Sequence, residues 1–179
     1  MLGDVGVPSH SEGGLQFSPN GVLYATNIGN FDASSIGTID GESGQVLTQT
    51  RLFSSDGGGF DLNGLAWRSD NVLVGIERSR NAFMLIDPTS GEAEVLAVSP
   101  GSKSIRGGMA NGPGLDMAYY ADEFNDLYSV DLNTGAAIYI GHLDIEGSIG
   151  GLAFVPSPPS CGVLLIAGAM ARRRRQMSR

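Results

Sequence analysis

One unit of about 40 to 50 residues recurs along the chain, and this repetition restricts the fold more than any other feature of the sequence. Each copy begins with a short apolar segment, and the copies start at Leu15, Leu65, Met109 and Leu152, at intervals of 50, 44 and 43 residues. In both the second and the third copy an aspartate follows this start by 22 residues. The equal lengths predict that these two copies align without a gap.

Each copy contains the pattern of four short antiparallel strands. An alternating apolar strand such as Leu65/Trp67 comes first, and turn-forming residues separate it from a second and a third strand. A turn of one type follows the third strand in every complete copy, at residues 40–44, 87–91 and 131–135. Each of these turns starts with Asp and ends with Gly, so the carboxylate can cap the turn and the glycine can take a positive φ. We therefore expect three equivalent hairpins, each leading into an outer strand.

Four strands in such a period are typical of a β-propeller blade, so the sequence predicts an all-β fold. The predicted repeat domain covers residues 1–154, with blades at about 13–53, 62–99 and 106–144 and a partial blade at 149–154. Propellers close with about 4–8 blades. Either N-terminal blades are lacking, or the array is open with exposed edges, or chains associate. The alternation predicts mostly buried positions at Leu15, Phe17, Leu65, Trp67, Val72, Ile86, Met117, Val130, Leu152 and Phe154.

The charge distribution divides the chain into an acidic body and a basic end. The formal net charge is −8, but five of the 11 Lys and Arg residues lie in the last eight positions. Residues 1–171 therefore carry 6 basic against 19 acidic residues. Because such a surface repels phosphates, we do not expect nucleic acid as a partner.

The C-terminus has three successive parts. Val155, Pro156 and Pro158 come first, and residues 161–171 then form an apolar run of 11 residues. As a helix this run is only ~16 Å long, against a hydrocarbon core of ~30 Å. Four arginines close the segment: Arg172, Arg173, Arg174 and Arg175.

This order of features resembles the PEP-CTERM class of C-terminal sorting signals, although Ser157 stands where that class has an acidic residue. The resemblance implies that residues 155–179 are a sorting signal with a short apolar helix, recognised by a membrane-bound exosortase. It also implies export to the cell surface or the extracellular matrix. Residues 1–14 have neither the basic nor the apolar region of a secretory signal, so we expect that the native N-terminus lies further upstream.

Two segments resemble the calcium-dependent propellers of the gluconolactonase and regucalcin type: residues 11–15 and residues 62–67. The resemblance implies that Glu12 and Asn63 are calcium ligands near the propeller axis. The third copy departs from that pattern, because Gly107 and Gly108 occupy the corresponding place. The alternative interpretation is that Asn63 belongs to an ordinary turn before an apolar strand.

Two functions follow as hypotheses. The first is an exported, non-catalytic repeat module without a cofactor that binds an unknown protein or glycan, and the second is a calcium-dependent lactonase-type hydrolase. Convergence of at least three oxygen ligands on the axis would distinguish the second from the first. The charged residues Glu77, Arg78 and Arg80 lie between two strands and predict a solvated loop.

Overall fold

The computed structural model describes residues 13–28, 35–54, 60–99, 107–146, 149 and 151–153. These residues form three four-stranded antiparallel sheets, which confirms the predicted all-β architecture. The first sheet contains β1 (Leu15–Phe17), β2 (Leu23–Thr26), β3 (Ser35–Ile39) and β4 (Thr50–Arg51). The second contains β5 (Leu62–Trp67), β6 (Leu73–Glu77), β7 (Ala82–Ile86) and β8 (Ala93–Val98). The third contains β9 (Met109–Asn111), β10 (Met117–Ala121), β11 (Asp126–Asp131) and β12 (Ala137–His142).

The strands of each sheet follow one another in chain order from the inner to the outer edge, as in a propeller blade. We call the sheets blades 1, 2 and 3. The predicted turns join the third and outer strands of the same blade in all three cases. In blade 1 the outer strand is reduced to a bridge between Ile39 and Val46 and the short β4.

The three hairpins are built in the same way. The amides of Gly44, Gly91 and Gly135 donate to the carbonyl of the leading aspartate at 2.8 Å, and these glycines have φ angles of 73°, 84° and 70°. Each aspartate carboxylate also accepts a hydrogen bond from the backbone amide two residues later, which belongs to Glu42, Thr89 or Asn133. The Ser43 hydroxyl lowers the pKa of Asp40, and the Thr89 amide lowers the pKa of Asp87. Each turn is therefore fixed locally by its own carboxylate.

Blades 1 and 2 pack through a continuous apolar core. Trp67 is 3% exposed and meets the ring of Tyr24 edge-on at 5.2 Å between ring centres. The buried members of this core come from both blades: Ile36, Leu52, Phe60, Leu62, Leu65, Trp67, Leu73, Ala82, Met84, Ile86 and Ala93. Burial of this apolar surface provides the main driving force for the contact between the blades.

A second core joins blades 2 and 3. Phe83 is fully buried and packs edge-on against Tyr120 at 5.9 Å. Ala66, Val74, Ile76, Met109, Ala118, Val130 and Leu132 complete the buried set. Asp116 of blade 3 also accepts hydrogen bonds from the Ser69 amide and hydroxyl of blade 2, at 3.0 and 2.9 Å.

The predicted burial was wrong for two residues of the first strand. Leu15 and Phe17 are 60% and 59% exposed, because they lie on the face of blade 1 that points away from blade 2. Among the other predicted core positions, Leu65, Trp67, Ile86 and Val130 are buried, and Val72, Met117 and Leu152 are half-buried. Phe154 lies outside the described residues.

The predicted gap-free alignment of the second and third copies was also wrong in detail. Trp67 pairs with Leu73, whereas the equivalent Asn111 pairs with Ala118. The turn between the first two strands therefore has one more residue in blade 3, and the next turn has one fewer. The two changes cancel in length, so they leave no trace in the spacing of the repeats.

Backbone hydrogen bonds connect blades 1 and 2 at the outer rim. The Phe53 amide donates to the Gly91 carbonyl, and the Ala93 amide donates to the Phe53 carbonyl, both at 2.9 Å. No corresponding backbone pair links the outer strands of blades 2 and 3 within the part of the chain that the structure describes. We refer to this connection as the rim link.

Near the axis, consecutive inner strands approach each other at glycines. A Cβ added at Gly64 would lie 2.7 Å from the Met109 Cβ of the next inner strand. A Cβ added at Gly108 would lie 2.5 Å from the backbone carbonyl carbon of Gly151 and from the backbone nitrogen of Leu152. Residues 151 and 152 are not part of a strand, and they lie beside the inner strand of blade 3. The partial blade at residues 149–154 stays a prediction.

None of the described residues forms a helix long and apolar enough to cross a membrane. The predicted apolar helix at residues 161–171 lies outside the described residues.

Candidate functional site

The inner ends of blades 1 and 3 enclose a cleft of about 380 Å³, which we call the axial cleft. Strand β1 forms one wall, and strand β9 with residues 152 and 153 forms the other. The lining residues are Leu15, Gln16, Phe17, Leu23, Ala110, Asn111, Gly112, Leu152 and Ala153. The cleft therefore combines two amide side chains with exposed apolar ones.

Asn111 ties the inner strands of all three blades together. Its Oδ1 accepts the Trp67 amide at 2.9 Å, and its Nδ2 donates to the Trp67 carbonyl at 2.6 Å. The Gln16 side chain of blade 1 donates to the same Oδ1 at 3.3 Å. Because both polar ends of Asn111 are held by backbone, its position in the cleft wall is fixed.

We expect Asn111→Leu to lower the free energy of unfolding by about 2–3 kcal/mol, because the Trp67 amide and carbonyl both lose their side-chain partner. Gln16→Leu removes only the longer bond from a half-buried side chain and should cost less than about 1 kcal/mol. Urea denaturation followed by circular dichroism measures both values. Equal losses for the two variants would contradict the bridging role of Asn111.

Sequence reasoning did not single out Gln16 or Asn111. A signal for Asn111 was available, because it occupies the position that Phe17 and Trp67 hold in the other copies. A polar residue at an otherwise aromatic position of a repeat indicates a specific partner. That partner is backbone from a neighbouring blade, which the sequence alone does not identify.

Of the two predicted calcium ligands, only Asn63 lies among the described residues. It is on β5 and is 7% exposed, next to Leu62, whose carbonyl accepts bonds from Thr26 Oγ1 and Asn27 Nδ2 at 3.2 and 3.1 Å. Within the described ranges, no three His, Cys, Asp or Glu side chains come together as a metal site. Among the described residues, no group of acidic side chains lies around Asn63. That Asn63 and Glu12 bind one calcium ion together stays a prediction.

Glu77 is fully buried, so the predicted solvated loop was wrong for this residue. Its carboxylate accepts the Asp61 amide at 3.2 Å, the Ser79 hydroxyl at 2.7 Å and the Arg80 amide at 2.6 Å. Asp122 closes the equivalent turn of blade 3 by accepting two amides at 2.9 Å. These carboxylates stabilise the turns between the second and third strands.

A second cleft, of about 460 Å³, lies on blade 2 beside the Asp87 turn. Asp87, Glu92 and Glu94 line it together with Arg68. The side-chain hydrogen bond to Asp70 raises the pKa of Arg68, so this guanidinium is permanently charged and already paired. The remaining charge in the cleft is negative, which is unfavourable for anionic ligands.

The residues assigned to the sorting motif lie outside the described residues. They are Val155, Pro156, Pro158, Arg172, Arg173, Arg174 and Arg175.

Comparison with solved structures identifies the fold. The chain is similar to virginiamycin B lyase from Staphylococcus aureus, with a TM-score of 0.51 and 20% identity over 74% of this chain and 41% of that one. It is also similar to the WD40 repeats of RRP9, with a TM-score of 0.54 and 15% identity over 84% of this chain and 44% of that one. A Bacteroides thetaiotaomicron protein of unknown function matches with a TM-score of 0.54 and 12% identity, over 70% and 32% of the two chains.

These neighbours are β-propeller-like, and the match establishes the propeller-like repeat fold of this chain. The chain spans less than half the length of each of these structures. No protein-family model and no curated protein matches the sequence. At identities of 20% and below, the likeness concerns the fold and not the activity.

Proposed function

We propose that this chain is a non-catalytic β-propeller repeat module that is exported and acts at the cell surface or in the extracellular matrix. One observation carries the proposal: an acidic repeat domain is followed by a proline motif, a short apolar run and four adjacent arginines. An apolar segment ending in arginines differs from the short alternating strands of the repeats. It does suit recognition at a membrane, where arginines stay on the cytoplasmic side.

The axial cleft supports a binding role. The Gln16 amide is both a hydrogen-bond donor and an acceptor, and Phe17 offers an exposed aromatic face beside it. Peptides and glycans present these same two kinds of surface, polar groups next to apolar ones. We accordingly propose a protein or glycan as the ligand, and an exosortase-like membrane enzyme as the partner of the tail.

Changing Pro156 and Pro158 to Ala, or deleting residues 172–175, should abolish sorting and leave the stability of the repeat domain unchanged. The reason is that sorting depends on the tail, whereas the described blades pack through residues 13–146. Cell fractionation and mass spectrometry of the mature protein measure sorting, and thermal denaturation measures stability. Pro113→Ala, in an exposed turn of blade 3, is the matched control and should be sorted normally.

An intact C-terminus through Arg179 in a soluble cytoplasmic fraction would contradict the proposed export. That result would leave the repeat-module part of the proposal standing, because it does not depend on the tail.

A further inference from the structure

The cleft of about 460 Å³ beside the Asp87 turn has an apolar floor, and we call it the blade 2 cleft. Val72, Leu85, Ile86 and Pro88 form this floor. Leu85 also packs against the core between blades 2 and 3, so that core holds the floor in place. The volume falls within the ~300–1,000 Å³ that is typical of ligand pockets.

Two glutamates stand beside this floor. Leu85 pairs directly with Glu94 across β7 and β8, so their side chains share one face of the sheet. Glu92 lies two residues before Glu94 in the same extended segment, and its side chain therefore points to the same face. Both glutamates are exposed, and within the part of the chain that the structure describes neither carboxylate has a hydrogen-bond or ion-pair partner.

The positive charge of Arg68 in the lining is already compensated. Its Nε donates to Asp70 Oδ1 at 3.1 Å, and its Nη2 donates to Asp70 Oδ2. The hydrogen bond to Asp70 raises the pKa of Arg68, and the nearby charge of Asp116 raises it further. The carboxylate of Asp87 accepts the Thr89 amide of its own turn at 2.8 Å. The glutamate carboxylates are therefore the groups that remain available to a positively charged ligand.

The fold of a blade does not account for the two glutamates. By the backbone bonds of the three hairpins, the place of Glu92 is taken by Gln45 in blade 1 and by Ala136 in blade 3. The place of Glu94 is taken by Ile138 in blade 3. A blade thus forms without a carboxylate at either position, so the pair is a property of the blade 2 cleft alone.

An exposed aromatic ring adjoins Glu92 at the rim link. Phe53 pairs with Glu92 in a parallel bridge, so the two side chains lie side by side on one face. The Phe53 side chain is 47% exposed. The face of an aromatic ring attracts cations, and a planar guanidinium also stacks on it. This corner of blade 2 therefore places carboxylates, an apolar floor and an aromatic ring together.

We propose that the blade 2 cleft binds an arginine side chain of a partner peptide. The methylene stem lies along the apolar floor, and the guanidinium donates to Glu92 and Glu94 beside the Phe53 ring. Charge complementarity selects this occupant, because a long basic side chain combines an apolar stem with a cationic end. The proposal goes beyond the proposed function, since the blade 2 cleft shares no lining residue with the axial cleft.

Titration of the full chain with a short glycine peptide that carries one central arginine tests this proposal. Backbone amide shifts followed by nuclear magnetic resonance should be largest at residues 72, 85 and 92–94. The same peptide with citrulline in place of arginine keeps the stem and the shape but lacks the charge. It should bind ~10-fold more weakly or less tightly still. Added salt should weaken binding of the arginine peptide.

Glu92→Gln combined with Glu94→Gln should weaken binding ~10-fold or more, because the guanidinium loses both carboxylates. Both positions are exposed, so this variant should keep the stability of the unchanged chain. Glu42→Gln combined with Glu146→Gln is the matched control. It removes the same charge from exposed positions outside the cleft and should bind the peptide as the unchanged chain does.

Equal affinity for the citrulline and arginine peptides would overturn the proposal, and so would amide shifts concentrated outside blade 2. Equal losses of affinity in the two double variants would indicate general attraction to an acidic surface and would overturn it too. Absence of binding at millimolar peptide would have the same meaning. None of these variants changes the axial cleft or the tail, so each such outcome is distinguishable from failure of the proposed function.

Discussion

Replacement of Trp67 by alanine is expected to lower the free energy of unfolding by about 3–5 kcal/mol, as large-to-small changes in a core do. Trp67 lies between blades 1 and 2 and contacts Tyr24, so its removal leaves a cavity in the interface as well as in its own blade. Trp67 is the only tryptophan in the chain, so fluorescence would lose its probe in the variant. Urea denaturation should be followed by circular dichroism instead.

The matched control is Phe17→Ala, which removes the equivalent ring in blade 1. Because Phe17 is 59% exposed, its loss should cost less than about 1 kcal/mol. Similar losses of stability for the two variants would contradict the prediction that Trp67 is part of the core and Phe17 is not. A loss below about 1 kcal/mol for Trp67→Ala would show that this side chain is not part of the core.

Gly91→Ala should have the second largest effect, because it combines a strained backbone with a steric clash. The φ of Gly91 is 84°, and its added Cβ would lie well inside contact distance of the Arg51 carbonyl oxygen of blade 1. The left-handed conformation costs a residue with a Cβ roughly 1–2 kcal/mol. Overpacking adds ~1–3 kcal/mol.

Gly21→Ala distinguishes the conformational cost of a positive φ from the cost of the steric clash. Gly21 has nearly the same φ, 79°, but nothing lies within 4 Å of its added Cβ. It should therefore show the conformational cost alone. Thermal and urea denaturation of both variants give the difference, and a difference near zero would mean that blade 1 moves aside without loss.

The local elements of the fold could be predicted from the sequence because their causes are local. Each hairpin needs only an aspartate, a glycine and the residues between them, and all three were placed correctly. The predicted burial of Leu15 and Phe17 was wrong because burial depends on a neighbouring blade. The alternation of apolar and polar residues along one strand carries no information on whether that neighbour is present.

Two other features depended on contacts between repeats. The shift of β10 relative to β6 was hidden because an insertion and a deletion cancel in length. The role of Asn111 depends on backbone from blade 2 and a side chain from blade 1, which are 44 and 95 positions away. Glu77 was expected in solvent, but three donors compensate its charge in the interior.

The rim link has a consequence for how the array opens. Blades 1 and 2 share backbone hydrogen bonds at Phe53 as well as an apolar core, so the outer strand of blade 2 cannot fray without breaking contacts to blade 1. Blade 3 is joined to blade 2 by side chains at the corresponding place. Opening of the outer strand of blade 2 is thus coupled, through the rim link, to loss of its contact with blade 1.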